Sequence, residues 1–439
     1  DIDPATGKQF GQPRFCCGIN MAAITDALRS FYLGGGWRAF LASFFGDPVD
    51  AATGLLVVTK TDLVLPGRLP VTLTRTYQTN GATTGPFGRG TTHATQVVML
   101  VEGNQRAVQM GDGRRFMLTL QPDGAYRNLT DAGLQGAVLT SPGGVPTLRW
   151  KDGSRWVFGV TLSSAVGITN LGLTQQIDRT GNSLTNTWSG TRITAIAGPD
   201  GRQLTLDYDG ANRVTKVSDP IGRSVQYAYD GQGNLATVTD PEGGTTRYAY
   251  NSTNRLTTIT DAKGILFLQN FYGPSGRVLR QLQADGSEYR FRYQLTGATA
   301  SGAGCLVLNT NPPSGGVVVL RSDFFSRCPS VDSWENLQAG YTITGGTVTG
   351  TTVVDPRGNV TTTRFNTRGY PVSTTDALGQ TSTTTLTAAN QVASSTDALG
   401  RITKFEYDPA GNVTKITDPN NQPTVPSACP TRDFGSTPR

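Results

Sequence analysis

Runs of residues rich in Thr, Val and Tyr alternate along most of this chain with clusters of Asp, Asn, Pro and Gly. Side chains that suit a pleated surface, cut at short intervals by turn formers, predict strands joined into hairpins, and no helix survives that density of Gly and Pro. One turn is written Asp-Pro-x-Gly, as in Asp219-Pro220-Ile221-Gly222 and Asp355-Pro356-Arg357-Gly358. It supplies Asp at the first turn position, Pro with its preset φ at the second, and Gly where a positive φ is needed. The other is Tyr-Asp followed by Gly or Asn, as in Tyr208-Asp209-Gly210 and Tyr407-Asp408-Pro409-Ala410-Gly411-Asn412. Between them the apolar pair Leu235 and Val238 is spaced by three rather than two, which breaks strict alternation and predicts a bulge or strong twist in every unit.

The turns keep a period of 21 residues: Asp219, Asp240 and Asp261, then Asp355, Asp376 and Asp397, with Asp418 opening a degraded copy. Looser copies begin near residue 166. Such units cannot bury a face except against their neighbours, so residues 166–293 and 351–420 are expected to form one curved antiparallel sheet. Residues 294–350 lack the register and read as an inserted lobe. Residues 47–165 read as a separate meander with hairpin turns at Gly111-Asp112-Gly113, Pro122-Asp123-Gly124 and Lys151-Asp152-Gly153. Residues 421–439 form a polar tail. Residues 1–46 contain the most apolar stretch, interrupted by Asp26, Arg29, three glycines and Arg38. Its halves, 21–32 and 37–45, are too short for the ~20 residues of a spanning helix and predict two short amphipathic helices. Its aromatic side chains, with Phe31, Trp37, Phe40, Phe44 and Phe45 the assembly candidates, need a surface to cover them, within the chain or on a neighbouring subunit.

Composition narrows the chemistry. The formal charge is +6, carried by arginines scattered one or two per repeat, with no basic cluster, so nucleic acid is not an expected partner. Five cysteines without a Cys-x-x-Cys and a single histidine complete no metal set. In a secreted chain, Cys305 and Cys328 are the disulfide candidate, pinning the insertion. The aspartates recur as turn formers, which argues against reading any two as a catalytic pair. No enzyme, cofactor or metal site is expected. At ~4.8 Å per strand, about nineteen strands make a ribbon roughly 90 Å wide, or a tube only about 30 Å across if closed. The last strand would then present an open edge for a longer chain or a neighbouring subunit.

The repeat resembles the Rhs/YD-repeat family, whose Gly-x-x-x-Arg-Tyr-x-Tyr-Asp-x-x-Gly-x-Leu context matches Gly243 through Leu256 with Asn251 in place of Asp. Upstream, Gly46-Asp47-Pro48-Val49-Asp50, Leu65-Pro66-Gly67, Leu73-Thr74-Arg75-Thr76-Tyr77, Gly85-Pro86-Phe87-Gly88 and His93 resemble the opening domain of Rhs proteins, with Thr91 where relatives usually carry Trp. The resemblance, which extends to the C-component of Tc toxins and to teneurin shells, implies an all-β fold: a spiralling antiparallel sheet forming a shell or open barrel, after a short α-helical N-terminal segment. It implies a non-enzymatic, extracellular or cell-surface structural role, as a shell or fibre segment that self-associates or continues into a longer shell. Two alternatives stand beside it. One is a shell fragment enclosing a C-terminal toxin; the other is an adhesin holding surface glycans with Tyr227, Tyr229, Tyr248, Tyr250 and Arg247 as stacking and hydrogen-bonding groups.

Overall fold

The computed structural model describes residues 44–45, 49–79, 84–165, 167–302, 331–333 and 341–425. Strands make up almost all of its regular structure. The helical residues among those described are two single 3-10 turns, Ala132–Leu134 and Pro142–Gly144. The expected N-terminal helices lie outside the described residues except at their end, where Phe44–Phe45 is a strand paired with Val49–Asp50. Pairing across that hairpin outweighs the local helical pattern.

Three bodies of sheet share the chain, beside a small hairpin of Thr84–Gly85 with Gly88–Arg89. The first is a five-stranded sheet built mainly from Leu55–Leu65, Val71–Gln78 and Thr91–His93, with the two short strands at its edge. The second is a closed ring of eight strands running from Val98–Glu102 to Ile168–Ile177. Ile168–Ile177 decides the layout, because one of its edges serves two neighbours. Residues 168–172 of that strand pair with 98–102 and shut the ring, while residues 175–177 pair with 183–185 and start the third body. Hydrogen bonding thus runs unbroken from the ring into the ribbon. Trp188 Nε1 and Asn186 Nδ2 both donate to the Leu173 carbonyl at 2.9 and 3.0 Å, filling the point where the two pairings part.

The third body is a ribbon of antiparallel hairpins in sequence order, from Ser183–Ser189 to Pro423–Thr424. Its hairpins break the short-strand rule once. Glu288–Gly302 and Tyr341–Val354 pair over almost their whole length, from Arg290 with Val354 to Gly302 with Tyr341. Much of the described part of the expected lobe is therefore an extension of this hairpin, and Leu295, Ile343 and Val348 from it are buried in a shared core. Val331–Ser333 adds a short strand along the free edge of residues 292–294.

The ribbon wraps the five-stranded sheet. Leu63, Leu65, Val71, Leu73 and Phe87 pack against ribbon residues from Ile193 to Val238. Farther along, Val49, Ala51, Leu56, Val58 and Tyr77 pack against residues from Leu256 to Phe365. The ring has its own core around Met99, Leu118, Leu139, Leu148 and Phe158. Later turns of the ribbon come back onto the ring through hydrogen bonds: Arg368 and Asn390 both donate to the Thr130 carbonyl, and Lys151 donates to that of Gly411 at 2.7 Å.

Candidate functional site

Most of the repeat turns are held by their own aspartate, with Asn251, Asn366 and Thr387 in its place at three of them. In the copy at Asp178, Oδ1 accepts from the backbone N–H groups of Thr180 and Asn182 at 2.8 and 2.9 Å, and Oδ2 accepts from Asn182 Nδ2 at 2.8 Å. The Asn182 amide first, then the Thr180 hydroxyl and the backbone donors, hold this exposed carboxyl down at about 2. At Asp219 the fifth residue is Arg223, whose Nε donates to Oδ2 at 2.7 Å while Gly222 adopts a φ of +89°. A carboxylate with its lone pairs filled by turn donors is an anion made for acceptance, unsuited to exchanging protons with a substrate.

The three-residue apolar spacing is a bulge, as the pattern predicts. Ala228 lies opposite Thr237 but Tyr229 opposite Leu235, so Ala236 is the extra residue. Equivalent shifts leave Thr194, Thr215, Thr257, Leu279, Val372, Ala393 and Thr414 extra. A bulge disrupts the ladder locally and leaves backbone groups to be satisfied elsewhere. The tyrosine that precedes the turn does so one repeat later. Tyr208 donates to Ile193 O at 2.7 Å, Tyr250 to Leu235 O at 2.9 Å, Tyr293 to Val278 O at 2.8 Å and Tyr407 to Val392 O at 2.8 Å. Each accepting carbonyl belongs to the residue just before a bulge. Burial raises the hydroxyl pKa of Tyr208, Tyr229, Tyr250, Tyr272 and Tyr293, keeping these groups protonated donors.

The N–H groups of the same residues reach inward. Val214 N donates to Pro86 O at 2.7 Å, Val278 N to Gly54 O at 3.0 Å, and Leu256 N to the Tyr77 hydroxyl at 2.9 Å. At residues 214, 256 and 278 one irregularity therefore supplies both a bond from the next repeat and a bond to the elements inside.

At the centre of that contact lies a buried ion pair. Arg75 Nη2 donates to Asp62 Oδ1 at 2.9 Å, its Nε donates to Oδ2, and the Tyr227 hydroxyl donates to Oδ2 at 2.8 Å. The guanidinium lies over the rings of Tyr227, Tyr248 and Phe87 at 5.6, 5.9 and 6.0 Å. Burial opposes the charge on Arg75, yet the Asp62 carboxylate outweighs it and its pKa stays well above the ordinary value. His93 pairs with Arg75 across the strands, and its ring meets Phe87 edge-on at 5.8 Å. Burial drives the imidazole pKa down to about 4.

The candidate glycan residues do not form one patch. Tyr227 is bound to Asp62, and Tyr250 and Tyr229 serve the ladder, with Tyr229 donating to Val214 O. Tyr248 lies half-buried beneath Arg75. Arg247 is exposed and alternates to the opposite face of its strand. Phe31, Trp37, Phe40, Cys305 and Cys328 lie outside the described residues; of the assembly candidates, only the backbone pairing of Phe44 and Phe45 is described. No group of three His, Cys, Asp or Glu residues is placed to hold a metal among the described residues. No helix there is long and apolar enough to cross a membrane. Sequence reasoning passed over Asp62 and the role of Arg75. The signal available was Leu73, Arg75 and Tyr77 in one alternating phase, a charge at a core-facing position.

Against known families, residues 46–117 match the domain of unknown function DUF6531. Residues 188–224, 208–245, 229–265 and 387–423 match the RHS repeat. No curated protein matches the sequence. Among solved structures the chain is similar to TcdB2-TccC3 without its hypervariable C-terminal region, at 10% identity and a TM-score of 0.32, over 89% of this chain and 22% of that one. It is also similar to a Photorhabdus luminescens Tc holotoxin pore, at 11% identity and a TM-score of 0.31, over 91% of this chain and 25% of that one. The chain thus spans about a quarter or less of the length of these two structures. Matched repeats in both halves of the ribbon, with the turn, bulge and tyrosine ladder recurring between them, identify the ribbon as an array of RHS, or YD, repeats.

Proposed function

We propose that this chain is a non-catalytic wall segment of a secreted or cell-surface β-shell. The observation that carries the reading is the use of the repeat's polar side chains. The turn carboxylates close their own turns, and wherever the ladder tyrosine is present it ties its repeat to the one before. Such a wall resists bending at every hairpin while exposing few reactive groups. Its partners on this reading are further turns of the same shell, from a longer chain or from another copy. Among the described residues, no side chain of the strands Pro371–Thr375 and Thr381–Leu386 is buried, which favours a wall that encloses a cargo, as in toxin delivery, over a solid fibre.

The test is the intact mass and shape of the native protein, by mass spectrometry and small-angle scattering. A hollow particle whose wall includes this segment supports the proposal. A solid monomer that binds a glycan array, and loses that binding on Arg247→Ala, overturns it in favour of an adhesin.

A further inference from the structure

The chain has one histidine, and the fold places it where all three sheet bodies meet. His93 ends the inner-sheet strand Thr91–His93. Two residues later the Thr95 carbonyl accepts from ribbon residue Asn186, and the Val97 carbonyl accepts from Leu173 at the ring–ribbon junction at 3.1 Å. The imidazole is 1% exposed. Its Nδ1 meets the Thr95 hydroxyl at 2.9 Å, while its Nε2 is buried with no partner. Opposite it across the strand pair is the fixed cation Arg75. We propose that His93 is an acid-sensitive pin, whose protonation loosens the inner sheet from the wall that surrounds it.

Charge accounting around the pin supports this. From the strand Leu55–Leu65 comes one carboxylate, Asp62, already spanned by Arg75 and accepting from Tyr227. The ribbon contributes Tyr227 and Tyr248, both packed on the Arg75 guanidinium. On the turn at 110–114, which approaches the His93 backbone through Gly111, Asp112 is paired with Arg114. No carboxylate among these is left to neutralise a second cation. A proton on His93 would therefore create a buried imidazolium across the strand pair from Arg75, with only the neutral Gln96 side chain and no carboxylate to offset it. Opening the contact lets water reach the ring, so acid shifts the equilibrium toward the open form.

The sign follows from the two states. Opened, the ring titrates near the ordinary value of 6.5; closed, it titrates at about 4. Between these values the open form binds the proton and the closed form does not. From pH 7.5 to 5 the opening equilibrium rises roughly thirtyfold.

Hydrogen exchange of the full chain, corrected for the intrinsic pH dependence of the amide rate, tests this. Wild type is expected to show that rise in peptides from 71–93 and 203–239, with peptides from the ring core at 138–158 unchanged. His93→Gln, which keeps a polar partner for Thr95, and His93→Phe, which fills the site with carbon, should both remove the rise while leaving exchange at pH 7.5 within a few fold of wild type. If either folded variant keeps the rise, or wild type exchanges faster everywhere at once, the pin is not His93 and the proposal fails.

Discussion

The ribbon contains the same repeat twice, and the two runs face different surroundings. In the first, the row of side chains across neighbouring strands reads Leu206, Val217, Val225 and, one repeat on, Tyr227, Val238, Thr246. In the second, the equivalent rows read Thr363, Thr374, Ser382 and Thr384, Ser395, Thr403. Turns and bulges are the same in both. The first run lies on the inner sheet, and its bulge residues Val214, Leu256 and Val278 give their N–H groups to that sheet. In the second run the corresponding position at residue 371 is Pro, which has no N–H to place. The strand Thr381–Leu386 is largely exposed on both faces. Backbone grammar thus builds the wall, and the side chains between turns decide whether anything packs on it.

The largest effect should come from breaking the first run's ion pair. Arg75→Leu strands the Asp62 carboxylate in a buried site and is expected to cost about 3–5 kcal/mol in urea unfolding. Arg364→Leu, an exposed arginine of the second run, should stay within about 0.5 kcal/mol. Core truncation separates the runs next. Leu206→Ala should cost about 2–5 kcal/mol, whereas Thr384→Ala should change stability by no more than about 0.5 kcal/mol. Equal losses from these two would mean that the second run's inner face is covered in the native protein.

The ladder is common to both runs but incomplete in the second, where Phe365 and Leu386 occupy tyrosine positions. Removing a rung by Tyr250→Phe should cost about 1–3 kcal/mol, because the Leu235 carbonyl loses its donor. Adding one by Leu386→Tyr should stabilise the second run by about 1 kcal/mol if its hydroxyl reaches the carbonyl of Pro371, the residue before the bulge at Val372. Thermal melting of each variant measures the change.

Acid should act on the runs in sequence. Loosening through His93 belongs between pH 6.5 and about 4, and to the first run alone. Turn carboxylates such as Asp123 and Asp178, held at about 2 when folded against an ordinary 3.8, stabilise fully above pH 4. That contribution is lost as pH falls from 4 toward 2. In the second run, Asp355 and Asp397 are depressed by the same kind of turn donors, Asn359 and the Arg401 backbone N–H foremost. Exchange in peptides from 371–396 should therefore stay flat from pH 7 to 4 and rise only below it.

Much of the wall is legible in the sequence, because its causes are local. Asp219 and Gly222 dictate their turn within five residues, and Leu235 with Val238 betrays the bulge at Ala236. The ladder was half legible: the tyrosine recurs with the repeat, but its acceptor lies fifteen residues back and is named only by the bulge. The buried pair of Arg75 and Asp62, with Tyr227 on it, was not legible. Asp62 and Tyr227 are separated by 165 residues, and nothing periodic relates them.

Turn type, strand length and the 21-residue step thus followed from side-chain chemistry acting over a few bonds, which is why they recur wherever the letters recur. Three features waited on the tertiary structure. Ile168–Ile177 splits one edge between ring and ribbon, the inner sheet covers the first run of repeats and only the start of the second, and the later turns at Arg368, Asn390 and Gly411 settle against the ring at Thr130 and Lys151. Each depends on how far a twisted sheet has curved after many strands, a sum of small rotations that no single repeat encodes.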